Sequence, residues 1–430
     1  MKKSTILLLS IFAYSAIFAE FAVSNSAKEN IAKIGETIEF SAADTPEDAR
    51  FELKQNGKRV SSGQYSEPVK FTAEVPAWLE FKVFAPKIKE GEKKREEKAC
   101  GVVVAPEKLK PATTAPKDLD KFWNAYKKEV EKQSPKKAKL TKIRDFNADK
   151  DPYGAELYRF EVKVDNAEYG SIGGVVADGY IAIPIGKEEK MPIVATFYGA
   201  GSYSADLRDA VNFAKEGAIG ISMNPHAISP DLKDEARKEY IDNKVHLDGG
   251  KIPYRNRGIT ETPQDVYFTG MFKRVYQTLR LAMSRPEWDK RNIAVRGFSQ
   301  GGAQTIVAAY LCPKVNVITP LCPAMCDNGG ESIKRRSGWP DWVHNETMTT
   351  QLENGRYFDP ALMASKIKAK MYVGIGLIDN TCSPTAVTSM FNNYAGKKQK
   401  LYMQGVGHGW NDEWSKTEKD FILTNIGLKK

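Results

Sequence analysis

The stretch Gly297-Phe298-Ser299-Gln300-Gly301 decides the fold of this chain. It follows the short apolar run 293–295 and leads into a helix-like stretch at 303–311. A strand, a sharp turn and a helix in this order are typical of a nucleophile elbow, which presents a serine hydroxyl at the top of a parallel sheet. Glycines are expected on both sides of the serine because the turn is strained, and a side chain at either position would clash with the neighbouring strand or helix.

Two residues downstream of the elbow complete a catalytic set in chain order. Asp379 ends the apolar run 371–378, at the expected carboxyl end of a parallel strand, where catalytic groups collect. His408 lies in a glycine-rich loop just after the strand-like segment 400–403. Chains with the α/β-hydrolase fold carry a serine, an acid and a histidine in this order. We therefore predict that Ser299 is the nucleophile, His408 its base and Asp379 the carboxylate that orients the imidazole.

Each of these assignments has a structural alternative. The elbow could be merely a tight turn, and His408 a plain loop histidine. Asp379 could cap a helix that begins near Ser383, since aspartate is a favoured N-cap. Asp327 is a rival acid, although the Asn-Gly that follows it indicates a turn. His344 also follows the elbow, but it lies where an inserted loop is expected.

The chemistry of acyl transfer also requires backbone N–H donors for the developing oxyanion. One donor is predicted to be the N–H of Gln300, the residue after the nucleophile. The other is expected in the loop after an earlier strand, and the apolar run 192–198 followed by Gly199-Ala200-Gly201 fits that description. We predict that Ala200 supplies the second N–H and that Gly201 contacts the substrate. The alternative is that these glycines only end a strand.

At this point the sequence resembles a known family. The elbow with its second glycine, Gly302, the segment Asp379-Asn380-Thr381-Cys382-Ser383-Pro384 and the closing His408 are similar to the acetyl xylan esterase/cephalosporin C deacetylase family of carbohydrate esterases. The segments 118–123 and 284–289 are similar to that family as well. The resemblance implies an α/β-hydrolase fold, the same three triad residues, and deacetylation of small esters on sugars.

The sequence departs from that family at three places. Gly409 stands where the family usually has a glutamate, and Ala200 stands where it usually has a tyrosine. The family's Arg-Gly-Gln motif is replaced by 224–227, while Arg257-Gly258-Ile259 shares two of its three residues nearer to the elbow. A backbone donor survives the change at Ala200, so these departures bear on the substrate more than on the reaction type.

Two irregular segments lie where lids and substrate walls belong in this architecture. The first is 226–262, and the second, 328–347, contains Trp339 and Trp342. These tryptophans could stack on sugar rings or form the core of a lid. Trp339 is the predicted substrate contact because Gly338 and Pro340 flank it on a turn.

Composition indicates an ordinary globular enzyme. The chain has 430 residues, 41% of them hydrophobic and 27% charged, which is enough for two domains with buried cores. The net charge of +10 comes from lysine runs mixed with glutamate, and no basic helix carries interleaved aromatics. Nucleic acid is therefore not an expected partner, whereas a basic surface favours acidic glycans through long-range attraction.

The N-terminal part has a different sequence pattern from the rest of the chain. Residues 20–105 contain short alternating segments separated by turns, among them Asn56-Gly57, a strong hairpin signal. They predict a small β-sandwich of immunoglobulin type. Residues 106–150 are predicted to form a linker and a helix that docks through Phe122-Trp123-Tyr126, and residues 151–430 an α/β domain with a parallel sheet and helices on both faces.

The sandwich has no aromatic cluster distinctive of a carbohydrate-binding module. Trp78 is the one exposed candidate, and a core position is the better explanation of a tryptophan there. We therefore expect a domain that packs on the hydrolase and covers part of its surface.

The first residues predict a signal peptide. Met1-Lys2-Lys3 is a positive start, the apolar core 6–18 is too short to span a bilayer, and Ala19 is a plausible cleavage point. Residues 1–19 are therefore expected to be removed on export to the periplasm or the outside. No other segment predicts membrane insertion.

Five cysteines remain, an odd number that leaves at least one free thiol or an intermolecular bond. Cys322 and Cys326 are close enough in sequence to consider a disulfide, which spacing alone does not establish. A zinc site is rejected because no second pair or nearby histidine completes four ligands.

These observations together predict an exported serine carbohydrate esterase that removes acetyl groups from oligo- or polysaccharides and needs no metal or organic cofactor. Two other functions stay open: a serine peptidase of the same fold, and a non-catalytic relative that binds glycan. The sequence leaves the oligomeric state open, including a homo-oligomer.

Overall fold

The computed structural model describes residues 21–88, 91–143, 154–166, 176–186, 188–229, 231–345 and 347–429. The predicted signal peptide 1–19 and the predicted boundary between residues 150 and 151 lie outside these ranges. Within them, no helix is both long and apolar enough to cross a membrane.

Eight strands near the N-terminus form two small sheets. They are β1 (Ala22–Asn25), β2 (Ile31–Ala32), β3 (Thr37–Ala43), β4 (Arg50–Gln55), β5 (Lys58–Gln64), β6 (Val69–Thr72), β7 (Ala77–Phe84) and β8 (Glu97–Val104). One sheet has the order β1-β3-β6 and the other β2-β8-β7-β4-β5. Their inner faces share one hydrophobic core, to which Phe40 of β3 and Phe81 of β7 contribute rings 5.2 Å apart. The predicted two-layer sandwich is confirmed.

The hairpin predicted at Asn56-Gly57 joins β4 to β5. Both residues have positive φ, 52° and 83°, as a tight turn between twisted antiparallel strands requires. The strand β5 after this turn was not predicted, because Lys58–Gln64 is mostly polar and exposed.

Helix α1 (Leu119–Glu131) follows the sandwich and packs through the aromatic side chains proposed for it. Trp123 is buried and donates a hydrogen bond from Nε1 to the carbonyl oxygen of Tyr357 at 2.8 Å. The ring of Phe122 lies 4.7 Å from that of Tyr357. The helix is thereby fixed to the far part of the chain by both an aromatic contact and a hydrogen bond.

The main sheet has nine strands among the described residues. The new ones are β9 (Lys139–Lys142), β10 (Ala155–Lys163), β11 (Val176–Pro184), β12 (Met191–Phe197), β13 (Ile219–Met223), β14 (Trp288–Phe298), β15 (Val317–Leu321), β16 (Lys370–Gly376) and β17 (Lys398–Met403). Their order is β17-β16-β15-β14-β12-β13-β11-β10-β9. Strands β12 to β17 are mutually parallel, as predicted.

The predicted parallel sheet has an antiparallel part at one edge. Strands β9, β10 and β11 pair antiparallel with one another, and β11 pairs antiparallel with β13. A parallel pair needs a long crossover, usually a helix, whereas antiparallel strands can follow each other directly. The connection between β10 and β11, residues 164–175, is at the lower limit of length for such a crossover.

Helices cover both faces of this sheet. The remaining ones are α2 (Leu207–Ala214), α3 (Asp234–Tyr240), α4 (Phe268–Met283), α5 (Gln300–Leu311), α6 (Thr349–Gly355), α7 (Pro360–Met363), α8 (Pro384–Asn393) and α9 (Asp412–Asn425). Alternate residues of β12 separate the two faces: Ile193 belongs to the core under α4 and α5, and Val194 to a core with Phe213 of α2 and Ile422 of α9. The α/β-hydrolase architecture predicted from the elbow is therefore observed.

Candidate active site

The elbow between β14 and α5 has the strained geometry expected for a nucleophile. Ser299 has φ 59° and ψ −118°, outside the regions that non-glycine residues favour. A Cβ on Gly297 would lie 2.4 Å from the carbonyl oxygen of Gly301, and one on Gly301 would lie 2.3 Å from that of Phe197. The predicted requirement for two glycines is confirmed, since the turn passes too close to β12 and to the helix for any side chain.

The structure brings Ser299, His408 and Asp379 together. Nε2 of His408 lies 2.8 Å from Oγ of Ser299, and its Nδ1 lies 2.8 Å from Oδ2 of Asp379. An ionised carboxylate only accepts hydrogen bonds, so Nδ1 carries the proton and Nε2 is left to accept one from the serine hydroxyl. This is the arrangement in which an imidazole can remove a proton from serine.

Asp379 is fully buried, and the backbone that follows it satisfies its second oxygen. Oδ1 accepts hydrogen bonds from the N–H groups of Thr381 at 2.7 Å and Cys382 at 2.9 Å. The helix that follows, α8, is capped by Ser383, whose hydroxyl accepts from the N–H of Ala386. Asp379 therefore does not cap a helix, and its Oδ2 lies 2.8 Å from Nδ1 of His408.

The rival residues occupy other places. Asp327 is buried in an ion pair with Arg335, 2.7 Å between its Oδ2 and Nη2. His344 is exposed and lies 3.6 Å from Asp341. His226 is buried beside Tyr267, and burial lowers the pKa of its imidazole to about 3, so it stays neutral at ordinary pH. None of these three groups contacts Ser299.

Both predicted oxyanion donors are available. Gln300 is the first residue of α5, where N–H groups have no partner within the helix. Among the described residues, neither its N–H nor that of Ala200 donates a hydrogen bond to the protein. Ala200 lines the same cleft as Ser299. These two N–H groups can therefore bind a negatively charged oxygen that develops beside the serine.

A cleft of about 840 Å³ opens beside the nucleophile. Trp339, the predicted substrate contact, forms part of its wall together with His408 and Ser299. Trp342 lies in the lid core instead, where its Nε1 donates to the carbonyl oxygen of Arg255 at 2.6 Å. Trp339, which the sequence favoured as the substrate contact, and Trp342 thus have different surroundings.

The contact between Gly201 and the substrate stays a prediction, and the lining of the described cleft does not support it. Gly201 is not among its lining residues, and a Cβ built on it would lie 2.3 Å from the ring of Tyr203. Its φ of +144° shows that glycine is needed at this position for backbone geometry. Gly201 therefore shapes the loop that presents Ala200.

Sequence reasoning missed two residues of the site. Trp410 is 57% exposed, lines the cleft, and packs edge-on against Phe298 with ring centres 5.4 Å apart. Its position two residues after the catalytic histidine was the available signal. Tyr254 is buried, and its hydroxyl donates to Oε1 of Gln300 at 2.7 Å. Tyr254 therefore supports the residue that follows Ser299.

All five cysteines are buried free thiols, so the disulfide considered between Cys322 and Cys326 does not form. Cys322, Asp379 and His408 are the one group within the described ranges whose ligand atoms are close enough to hold a metal, within 4.8 Å of one another. Burial raises the pKa of the Cys322 thiol, which disfavours the thiolate that binds metals. The absence of a metal and of a cofactor stays a prediction.

Comparison with known proteins gives consistent matches. A protein-family model described as acetyl xylan esterase (AXE1) matches residues 106–337 and 339–425. The acetyl esterase Axe7A of Xylanibacter ruminicola is 29% identical over 330 residues, which are 76% of this chain and 70% of that protein. The matched family segments begin after the sandwich.

Two solved structures share the fold. Acetyl xylan esterase 1 from Thermoanaerobacterium sp. JW/SL YS485 matches with a TM-score of 0.61 and 21% identity, over 74% of this chain and 97% of that chain. The acetyl xylan esterase from Paenibacillus sp. R4 matches with a TM-score of 0.61 and 23% identity, over 74% and 98%. At these identities the similarity establishes the architecture.

Proposed function

This chain belongs to the acetyl xylan esterase family of α/β-hydrolases and is a carboxylic ester hydrolase; from that premise, we propose that it is an exported enzyme that removes acetyl groups from sugar hydroxyls with Ser299, His408 and Asp379. The observation that supports this proposal most is the continuous hydrogen-bonded chain from Asp379 through His408 to Ser299 at the edge of the cleft.

In the first half of the reaction, Oγ of Ser299 attacks the acetyl carbonyl carbon while Nε2 of His408 takes the hydroxyl proton. The Asp379 carboxylate stabilises the imidazolium through Nδ1. The carbonyl oxygen becomes an oxyanion, which accepts hydrogen bonds from the N–H groups of Gln300 and Ala200. Collapse of this intermediate breaks the ester bond, and His408 gives its proton to the departing sugar oxygen.

In the second half, a water molecule attacks the acetyl group now bound to Ser299. His408 takes a proton from this water and returns it to Oγ of Ser299 when the acyl bond breaks. Acetate leaves, and the starting hydrogen bonds are restored. Each half of the reaction needs the same donors and the same base, so one site serves both.

Trp339 and Trp410 are placed to hold the sugar. Both line the cleft beside Ser299, and the indole of Trp410 is more than half exposed. A sugar ring carries an apolar face of C–H groups, which gains free energy when it covers an exposed aromatic ring. In our proposal Trp410 supports the sugar ring whose acetyl group enters the triad.

The export part of the proposal rests on the N-terminal sequence, with its positive start and apolar segment 6–18. It is tested by N-terminal sequencing of the protein recovered from the periplasm or medium of the expressing cell. A mature chain that begins near Glu20 supports export, and an intact Met1 contradicts it.

Acetate release from acetylated xylo-oligosaccharide, compared between the wild type and Ser299→Ala, tests the enzymatic proposal. We expect release by the wild type and a loss of several orders of magnitude in the variant. A folded wild type that is inert on this substrate and on a simple aryl acetate would contradict the proposal. Cleavage of a peptide amide in place of the esters would favour the peptidase alternative.

A further inference from the structure

The outer face of the sandwich lies against the segment that carries Asp379. Strand β7 alternates its side chains: Leu79 and Phe81 enter the sandwich core, whereas Trp78 and Glu80 point the other way. Trp78 is fully buried, and its Nε1 donates a hydrogen bond of 2.7 Å to the carbonyl oxygen of Leu377, two residues before Asp379.

The residue after Asp379 is held by the same face. Nδ2 of Asn380 donates to Oε2 of Glu80 at 3.0 Å, and Glu80 is only 2% exposed. Nζ of Lys54 lies 3.7 Å from the same carboxylate oxygen. Trp78 and Glu80 therefore form hydrogen bonds to the chain on both sides of Asp379.

Gly101 of β8 also belongs to this contact, and it lets the sandwich face approach the segment before Asp379 closely. It pairs with Glu80 across the two strands. A Cβ built on Gly101 would lie 2.0 Å from the carbonyl oxygen of Leu377 and 2.7 Å from its carbonyl carbon. The backbone of β8 thus touches the backbone before Asp379, which only glycine permits.

Gly101 also binds the start of the loop that carries His408. Its N–H donates to Oε1 of Gln404 at 2.8 Å, and its carbonyl oxygen accepts from Nε2 of the same side chain at 3.0 Å. The acid and base loops are joined to each other as well, by a hydrogen bond of 3.1 Å from the N–H of Ile378 to the carbonyl oxygen of Val406. One strand pair of the sandwich therefore contacts both loops.

We infer that the β7–β8 face of the sandwich positions the acid and the base of the triad. This inference rests on the proposed role of Asp379 and His408. Catalytic groups must be held within a fraction of an ångström of their productive geometry, and loops do not hold it by themselves. Trp78, Glu80 and Gly101 are positioning residues, since none of them touches the substrate or the reacting atoms.

The test compares two tryptophans in matched surroundings. Trp78→Phe removes the bond to Leu377. Trp123→Phe removes a bond of 2.8 Å from a similarly buried indole to the carbonyl oxygen of Tyr357, away from the triad. We expect Trp78→Phe to lower kcat on aryl acetate roughly tenfold with KM unchanged. Trp123→Phe should keep kcat within about twofold, although both variants unfold at a lower temperature.

A second matched pair uses glycines. Gly101→Ala places a methyl group against Leu377. Gly396→Ala places a methyl group 2.4 Å from the carbonyl oxygen of Ala369. Gly396 precedes β17, at the end of that strand away from His408. We expect Gly101→Ala to lose more kcat than Trp78→Phe, and Gly396→Ala to lose thermal stability alone. If either sandwich variant fails to fold, Asn380→Ala tests the same contact by removing the hydrogen bond to Glu80.

The rate at which a fluorophosphonate labels Ser299 gives a readout that does not depend on the natural substrate. Slower labelling of Trp78→Phe and Asn380→Ala than of Trp123→Phe supports the inference. Equal labelling rates and equal kcat in all three variants overturn it. If the wild type is labelled but releases no acetate, the proposed substrate is wrong, and the comparison of labelling rates still decides the role of the sandwich.

Discussion

The nucleophile half and the acid–base half of the site are supported in different ways. Ser299 follows β14, which has β12 and β15 on its two sides, and its turn is closed by backbone contacts within the sheet. His408 follows β17, the edge strand, and Asp379 follows β16 beside it. The proposed nucleophile is therefore fixed by the interior of the sheet, whereas the proposed base follows the edge strand and the proposed acid follows the strand beside it.

An edge strand has a hydrogen-bonded neighbour on one side only, and the loop after it has little to hold it. In this protein the sandwich contacts the loop after the edge strand β17, and it also contacts the loop after β16, which has strands on both sides. Gln300, the residue after Ser299, is supported from within the hydrolase part instead, by a hydrogen bond from the hydroxyl of Tyr254. The comparison teaches that distance from the centre of the sheet decides which catalytic group needs outside support.

The largest effect is expected from Asp379→Asn, which keeps the shape of the side chain but stabilises the wrong imidazole tautomer. We expect kcat to fall on the order of 10⁴-fold. The matched change Asp327→Asn breaks the buried ion pair with Arg335 and should cost about 3 kcal/mol of unfolding free energy. Steady-state kinetics and thermal unfolding separate the two, and a larger loss of kcat in Asp327→Asn would contradict the assignment of the acid.

Tyr254→Phe probes the support of the nucleophile half. Loss of the hydrogen bond to Gln300 should lower kcat about tenfold without changing KM, because the bond orients oxyanion donors rather than substrate. Tyr276→Phe removes a similar bond, of 2.6 Å to Glu131, on α4 and away from the cleft. If both variants keep the kcat of the wild type, Tyr254 is not needed to position the donors.

Trp410→Ala tests whether the residue beside the His408 loop contributes to substrate binding. This residue follows His408 but points into the cleft, so its loss should affect binding and spare the triad. We expect KM for acetylated xylo-oligosaccharide to rise roughly fivefold, about 1 kcal/mol. KM for ethyl acetate, which has no sugar ring, is the control. An equal change for both esters would show that the indole has another role.

The smallest effect is expected from thiol reagents. Burial raises the pKa of Cys100 to about 12 and raises that of Cys382 well above its ordinary value. Both thiols stay protonated at pH 8, well below these values, and a protonated thiol is a poor nucleophile. Ellman's reagent should react with none of the five cysteines of the native protein and leave its activity intact. Rapid reaction of Cys100 would show that the sandwich opens in the native state.

The nucleophile elbow was predictable because its signals are local. Strand, glycine, serine, glycine and helix lie within a short window, and the steric reason for each glycine can be stated before the structure is known. Two histidines follow the elbow, and of these only His408 also comes after Asp379, as the order serine, acid, histidine requires. The structure brings these three residues into hydrogen-bonding distance.

Several features had no local signal. The antiparallel edge of the sheet depends on which strands become neighbours, and the sequence does not show that Ala200 lines the cleft whereas Gly201 does not. The role of Tyr254 depends on the insert folding back over α5. Trp78 was expected in a core, and it is fully buried, yet its hydrogen-bond partner is 299 positions away in the sequence.

The sequence by itself determined the family, the fold class and the three residues proposed for catalysis, because these depend on short motifs and on their order along the chain. Only the tertiary structure decided what holds the three residues in place. The face of β7 and β8 contacts the loops that carry Asp379 and His408, which are far from it in sequence. These contacts form only when the sandwich and the hydrolase part pack together.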